Sequence, residues 1–275
     1  MPLVRIKRAL VCCEADWQIR LHTSETLVLR GEISVRVIIE TDSEAASRRA
    51  AKFVADLVRK KPNCVLGLAT GSTPQATYRE LIRLHRDEGL DFSQMTTFNL
   101  DEYVGLSSVH PQSYRQFMQA NLFDHINIRE EATNVPDGRA LDFESHCRQY
   151  EQWIHDAGGI DLQILGIGAN GHIGFNEPGS SFDSRTRIVA LADDSRAAVA
   201  AAFVGEAVPT RALTIGIATI LAARRCVLLA FGAGKAGVIG RAIEDPPTPE
   251  MPASALQLHP DATIVLDAAA AFQLG

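Results

Sequence analysis

The feature that most limits the fold is an alternation of short, strand-like runs rich in apolar residues with segments whose apolar residues recur at helical spacing. The runs VRVIIE (35–40), CVLGLA (64–69), TTFNL (96–100), the segment 161–166, ALTIGIA (212–218), CVLLAFG (226–232) and TIVLD (263–267) read as strands. Continuous apolarity means that both faces of a strand are covered, which is how parallel strands under helices look in sequence. Between the first two runs, Ala46, Ala50, Phe53, Val54 and Leu57 recur every three or four residues, and Asp42 or Ser43 can cap the start. A second such face runs through Tyr78, Leu81, Ile82 and Leu84, and further helices are expected at about 113–123, at about 143–157 and in the Ala-rich run 197–202. The expected fold class is α/β: an open, mostly parallel, Rossmann-like sheet with helices on both faces, taking its ligand at the carboxyl ends of the strands.

The 275 residues suffice for this domain, and no stretch has the composition of a linker. The domain is placed at 35–275. Residues 1–34 read as an N-terminal extension with little structure beyond a weak hairpin, because their apolar residues follow no helical period. A net charge of −6 argues against nucleic acid or an anionic membrane as partner. No run is long and apolar enough to span a bilayer, and the first residues lack the basic-then-apolar order of a secretion signal. The cysteines show no metal-ligand spacing, and Cys64 and Cys226 lie in apolar runs as reduced core residues do, so a cytoplasmic setting is expected.

Chemistry concentrates where strands end. The stretch ILGIGANGHIGFNEP (164–178) follows a strand with Gly166, Gly168 and Gly171 and then delivers His172, Asn176 and Glu177. Gly-x-Gly-x-x-Gly matches a dinucleotide fingerprint, but that use requires a helix to begin inside the run, whereas Gly174, Pro178 and Gly179 favour a loop. His172 can exchange a proton near neutral pH, with Glu177 to orient it; a zinc site from these two lacks further ligands at suitable spacing. After the 64–69 run come Thr70, Gly71, Ser72, Thr73 and Pro74: Pro74 suits a first helical turn, Thr73 can cap it, and the free amides suit phosphate. A plain capped turn explains the same residues. Asp101 and Glu102 end the third run; such a pair is either solvated, a cap for the next helix, or a source of a general base. Lys235, in FGAGK, can act as a point charge toward phosphate or simply face solvent, and Ala236 in place of Ser or Thr excludes a magnesium-holding Walker loop.

Together LGLATGSTP, TFNLDEYVGL with HPQSY, and GIGANGHIGFNEP followed by SRTR resemble the glucosamine-6-phosphate deaminases. The resemblance continues through ALTIGIATIL and SALQLHPDA and covers roughly residues 35–275. The related 6-phosphogluconolactonases share the fold, yet usually carry Asp-Glu-Arg where this chain has Asp101-Glu102-Tyr103. The resemblance implies deamination and isomerisation of glucosamine 6-phosphate to fructose 6-phosphate, with neither metal nor organic cofactor. It implies Asp101 as base for enolisation, His172 as proton acceptor in ring opening assisted by Asn170 and Glu177, and phosphate held by residues 70–73 and Lys235. It is compatible with a homo-oligomer. A lactonase, an isomerase for another hexosamine phosphate, and a weakly catalytic sugar-phosphate sensor are the alternatives.

The chain departs from the family pattern at three places. Asn170 stands where many members have Asp. Ala201 stands where an arginine usually helps to hold the phosphate, which implies a raised Michaelis constant or a shifted preference; Arg196 and Arg211 are the nearby cations in sequence. Val189 and Ala190 replace the Lys-Thr pair that longer members use for N-acetylglucosamine 6-phosphate, so no strong activation by that effector is expected, although Arg187 is present.

Overall fold

The computed structural model describes residues 26–28 and 35–275. In chain order the elements are β1 (Thr26–Val28), β2 (Arg36–Glu40), α1 (Ser43–Lys60), β3 (Val65–Leu68), α2 (Gln75–Glu88), β4 (Thr96–Asn99), β5 (Asp101–Tyr103), α3 (Tyr114–Asn121) and β6 (Thr133–Asn134). They continue with α4 (Phe143–Asp156), β7 (Leu162–Gly166), β8 (Arg187–Ala190), α5 (Asp193–Val199), β9 (Arg211–Thr214), α6 (Ile217–Leu221), β10 (Cys226–Ala230), α7 (Ala236–Glu244) and β11 (Ala262–Asp267). Seven strands form one parallel sheet in the order β2-β11-β10-β7-β3-β4-β6, with β1 added antiparallel at the edge beside β2. The rest of 1–34, expected to be a poorly structured extension, lies outside the described residues.

Each central strand feeds two cores. Val65, Leu165, Leu228 and Ile264 pack with Tyr150, Ile154, Ile239 and Leu256 on one face. Leu66, Leu68, Ile164, Leu229 and Val265 pack with Ala46, Val54, Tyr78 and Leu81 on the other. This two-sided burial is the cause of the continuous apolar runs, and each fully buried Leu or Ile contributes roughly 1.5–3 kcal/mol. Asp42 caps α1 by accepting from the Ala45 amide at 2.8 Å. The buried stripe of α1 is Ala46, Ala50, Val54 and Val58, with Phe53 and Leu57 packed at its margin.

Three sequence expectations need correction. ALTIGIA is not one strand of the large sheet: it breaks at Gly216, its first half forming β9 and its second starting α6. β9 pairs antiparallel with β5 and β8 in a separate three-stranded sheet. Gly216 marks the break because a Cβ there would lie 2.1 Å from the Ser184 carbonyl oxygen. Nor does Thr73 cap α2: the residue before the helix is Pro74, and no side chain caps it. The Ala-rich run is split, with α5 ending at Val199 and a 3-10 turn covering Ala200–Ala202.

Candidate active site

β3 leads through α2 to its neighbour β4, whereas the chain beyond β7 returns to β10 on the opposite side. The order of connection therefore reverses between β3 and β7, and in such sheets the crevice outside this point is where ligands bind. Four consecutive strands, β10, β7, β3 and β4, are followed respectively by Lys235, the 167–178 loop, Thr70–Thr73 and Asp101. The topology thus brings all nine sequence-selected residues to one edge.

The 167–178 segment is a loop with no helix start, as its Gly and Pro content predicts. Its glycines have separate causes. A Cβ on Gly168 would lie 2.1 Å from His172 Cε1, so the imidazole occupies the space a side chain would take. Gly171 has φ +91°, a left-handed conformation that disfavours other residues. A Cβ on Gly174 would stand 3.4 Å from Asp101 Oδ2, so this glycine borders the carboxylate.

Hydrogen-bond polarity fixes how the loop residues are oriented. Glu177 can only accept, so the Asn170 amide nitrogen faces its Oε2 at 2.8 Å and Asn170 Oδ1 is left facing His172 Nδ1 at 2.7 Å. Nδ1 must then carry hydrogen, which in the neutral ring leaves Nε2 as the accepting nitrogen. His172 Nδ1 is also 3.4 Å from Glu177 Oε2, and Ser195 on α5 donates to Glu177 Oε1. Burial would raise the Glu177 carboxyl, but the bonds from His172, Ser195 and Asn170 outweigh it and bring the group down to about 2. Glu177 is therefore a stable anion beside a histidine at neutral pH.

Asp101 is in the opposite condition. It is 6% exposed, and among the described residues its carboxylate accepts no hydrogen bond. Burial, and then the charge of Glu102, push its proton affinity well above the carboxylate range. The neighbouring Glu102 adds to the cap that Ser113 makes at the start of α3: its Oε1 takes the amides of Tyr103 and Tyr114, and its Oε2 that of Arg115. One carboxylate of the pair is a structural anchor and the other is free for chemistry.

The small sheet locks these parts together. In register, Thr214 on β9 lies between Asp101 on β5 and Arg187 on β8. The Thr214 hydroxyl accepts the Phe175 amide at 3.0 Å, and Arg187 Nη1 donates to Asn176 Oδ1 at 2.8 Å. Asn176 itself donates to the carbonyls of Ile173 and Ile215. The clamp residues Arg187 and Thr214, together with Ser195, are the functional positions that sequence reasoning did not single out as site residues. Arg187 ends the SRTR stretch quoted above, whereas no signal short of the β8-β9 pairing exposes Thr214.

On the other side, Gly71 has φ +92° and, with Ser72, is exposed ahead of α2. Among the described residues the amides of Gly71, Ser72 and Thr73 find no acceptor, and the start of a helix of this length carries a partial positive charge. The Tyr114 phenol donates to the Tyr103 hydroxyl at 3.0 Å. Lys235 Nζ donates to the Ile167 carbonyl at 2.8 Å, and burial lowers its proton affinity; among the described residues it pairs with no carboxylate. Ala201 is exposed on the turn after α5, while Arg196 Nη1 stays 3.5 Å from Asp193 on its own helix. A cavity of about 660 Å³ opens between this segment and α3, lined by Gly71, Tyr103, Tyr114, Phe117 and Phe203. A second cleft of about 500 Å³, behind Glu102 and Arg115, includes none of the nine residues.

An acid–base centre at the reversal point of a parallel sheet, beside a helix start suited to an anion, defines an α/β domain built for proton transfer on a small anionic molecule. Likeness to known proteins makes this specific: the chain belongs to the family of glucosamine-6-phosphate isomerases and 6-phosphogluconolactonases, whose pattern matches residues 40–265. It is 53% identical over 238 residues to glucosamine-6-phosphate deaminase of Rhodopirellula baltica, spanning 86% of this chain and 95% of that protein. It is 50% identical over 238 residues to the deaminase of Thermoanaerobacter pseudethanolicus, 86% and 94% of the two chains. The solved structure of a monomeric glucosamine-6-phosphate deaminase superposes with a TM-score of 0.84 at 48% identity, over 86% of this chain and 99% of that one.

Proposed function

We propose that this protein converts glucosamine 6-phosphate and water to fructose 6-phosphate and ammonia. The observation that carries the reading is the pairing, at adjacent strand ends, of a buried unpartnered carboxylate with an oriented histidine–carboxylate pair. His172 Nε2 accepts the anomeric hydroxyl proton and passes it to the ring oxygen as the C1–O5 bond breaks, and Glu177 and Asn170 orient the imidazole while it carries charge. Asp101, made basic by burial, removes the C2 proton and returns it to C1. The enolamine formed becomes a C2 imine, and water replaces nitrogen there to release ammonia. Each step is a proton transfer or a hydrolysis, for which these side chains supply the acid and base groups.

The amides of residues 70–73 and the ammonium of Lys235 hold the 6-phosphate, the first through the helix start and the second as a point charge. Identities near 50% across most of the chain to proteins named for this activity support the reading over a lactonase. The lactonase structures matched, at 16–20% identity, share the fold alone. Residues 35–275 as the catalytic domain and a cytoplasmic location belong to the same proposal; no described helix is long and apolar enough to cross a membrane. Ammonia release from glucosamine 6-phosphate by the purified protein, abolished in Asp101→Asn, is the expected result. Turnover of 6-phosphogluconolactone without ammonia release would overturn it.

A further inference from the structure

β10 and β11 are adjacent parallel strands, paired as far as Ala230 and Leu266, so the segments that leave them lie side by side. Asp267, the last residue of β11, makes contacts in both. Its Oδ1 accepts the Ala270 amide at 2.7 Å, which closes a turn within its own segment. Both of its oxygens also meet the Gly232 amide beyond β10, at 3.0 and 2.9 Å. The first contact accounts for a local turn, whereas the second joins two strand ends and needs another reason. Gly232 has φ +84°, a conformation that disfavours other residues, yet nothing lies within 4 Å of the place of a Cβ there. Glycine is therefore required by the turn and not by packing. The Gly232 carbonyl accepts the Lys235 amide at 3.0 Å, closing the 3-10 turn Ala233–Lys235 ahead of α7. Lys235 Nζ then reaches the Ile167 carbonyl at 2.8 Å, at the root of the loop that carries His172.

We propose that Asp267 is a positioning residue for the anion site: it fixes the Gly232 turn and so holds the Lys235 ammonium at the strand ends without neutralising it. This role rests on the reading of Lys235 as a phosphate-holding cation given above. A contiguous line of contacts runs from the Asp267 carboxylate through the Gly232 amide and carbonyl to the backbone of Lys235. Asp267 is buried, and among the described residues no ion pair joins it to Lys235. Its oxygens are taken up by amides, so the ammonium keeps its charge for an anion, where a carboxylate set directly against it would compete with phosphate. Without the carboxylate, Gly232 regains the wide backbone freedom of glycine, and the lysine must be ordered afresh each time an anion binds.

The test is a titration with inorganic phosphate followed by phosphorus NMR. It is run on the wild type, Asp267→Ala, Asp267→Asn, Gly232→Ala, Lys235→Ala and the double variant of Asp267→Ala with Lys235→Ala. Asp267→Ala is expected to weaken phosphate binding about 10-fold. Asp267→Asn should retain most of the affinity, because the oxygen that meets Ala270 also meets Gly232 and an amide oxygen can accept from both. Gly232→Ala strains the same turn with Asp267 intact and should weaken phosphate in the same way, which keeps the test open if Asp267→Ala does not fold. With Lys235 already replaced, Asp267→Ala should change nothing further, as expected of residues that act through one another. In ammonia-release assays the loss should appear in KM, with kcat held within about threefold. Equal losses with and without Lys235 overturn the role, and so does Asn as weak as Ala, because the amide contacts are then not the cause. Unchanged affinity in Gly232→Ala overturns it too, as does a fall in kcat at unchanged KM. Unchanged affinity in Lys235→Ala removes the lysine from the anion site, and the reading beneath the role falls with it. The titration needs no turnover, so absence of ammonia release from the wild type sinks the deaminase reading alone.

Discussion

Replacing Glu102 by Gln keeps the shape of a buried side chain and removes its charge, which makes the two carboxylates at the end of β4 separable by experiment. Glu102 is 2% exposed; burial is the main cause that brings its carboxyl up to about 7, opposed by the amides of Tyr114, Arg115 and Tyr103. Its reference value is 4.5, so the folded state binds a proton that the unfolded chain has released between about pH 4.5 and pH 7. The stability linked to this proton is fully present below that window and is lost as pH rises through it. A gap of this size corresponds to about 3 kcal/mol. The Glu102→Gln variant has no such loss. It is instead destabilised at every pH, because its amide nitrogen faces the Arg115 amide, now left without an acceptor, at a cost of about 1–3 kcal/mol.

Urea melts at pH 5 and pH 8 therefore have a defined outcome. Glu102→Gln is expected to be the less stable protein at pH 5, with the gap narrowing by about 2–3 kcal/mol at pH 8. A gap constant to within about 0.5 kcal/mol would refute the placement of a raised carboxyl at this position. The same variant should shift the Asp101 limb of the ammonia-release profile to lower pH, since the charge of Glu102 is the second cause that raises Asp101.

Other variants address the site directly. Gly168→Ala places a Cβ 2.1 Å from His172 Cε1 and should reduce kcat by about 100-fold or more, with an unchanged far-UV circular dichroism spectrum; near-wild-type turnover would remove His172 from the chemistry. Ala201→Arg restores a cation on the turn over the cleft and should lower the Michaelis constant for the phosphorylated sugar about 10- to 100-fold in steady-state assays. Asn170→Asp sets a second carboxylate where an amide now lies 2.8 Å from Glu177, and the acid limb of the rate profile should move to higher pH. An identical profile would deny Asn170 any electrostatic part.

What could be read from sequence was local. Asp42, the Ala46–Ala50–Val54 stripe and the doubly covered strands follow from capping and periodicity, and the Gly-rich loop was recognisable because Gly174 and Pro178 forbid a helix. The choice between Asp101 and Glu102 came from the family resemblance and could not be read from the two residues themselves. It depends on three amides, two of them from a helix start more than ten residues onward, that converge on one carboxylate only after folding. ALTIGIA illustrates the opposite limit, since an apolar run does not reveal that its strand half pairs in a different sheet and its other half turns into a helix. Ser195 was passed over because an exposed-looking serine in an alanine-rich helix carries no pattern; only its tertiary neighbour Glu177 gives it a role.

The three-stranded sheet also ties competence to completion of the chain. Asp101, Arg187 and Thr214 come from separate segments, and β10 and β11, which finish the large sheet, follow β9 in the chain. The large sheet closes over a longer span still, where β2 pairs with β11, so loop length does not make the small sheet the later to form. Scaffold and reactivity should therefore return together: in refolding, ammonia release is expected to recover with the helical signal, and a clear lag between them would show that the base is placed last.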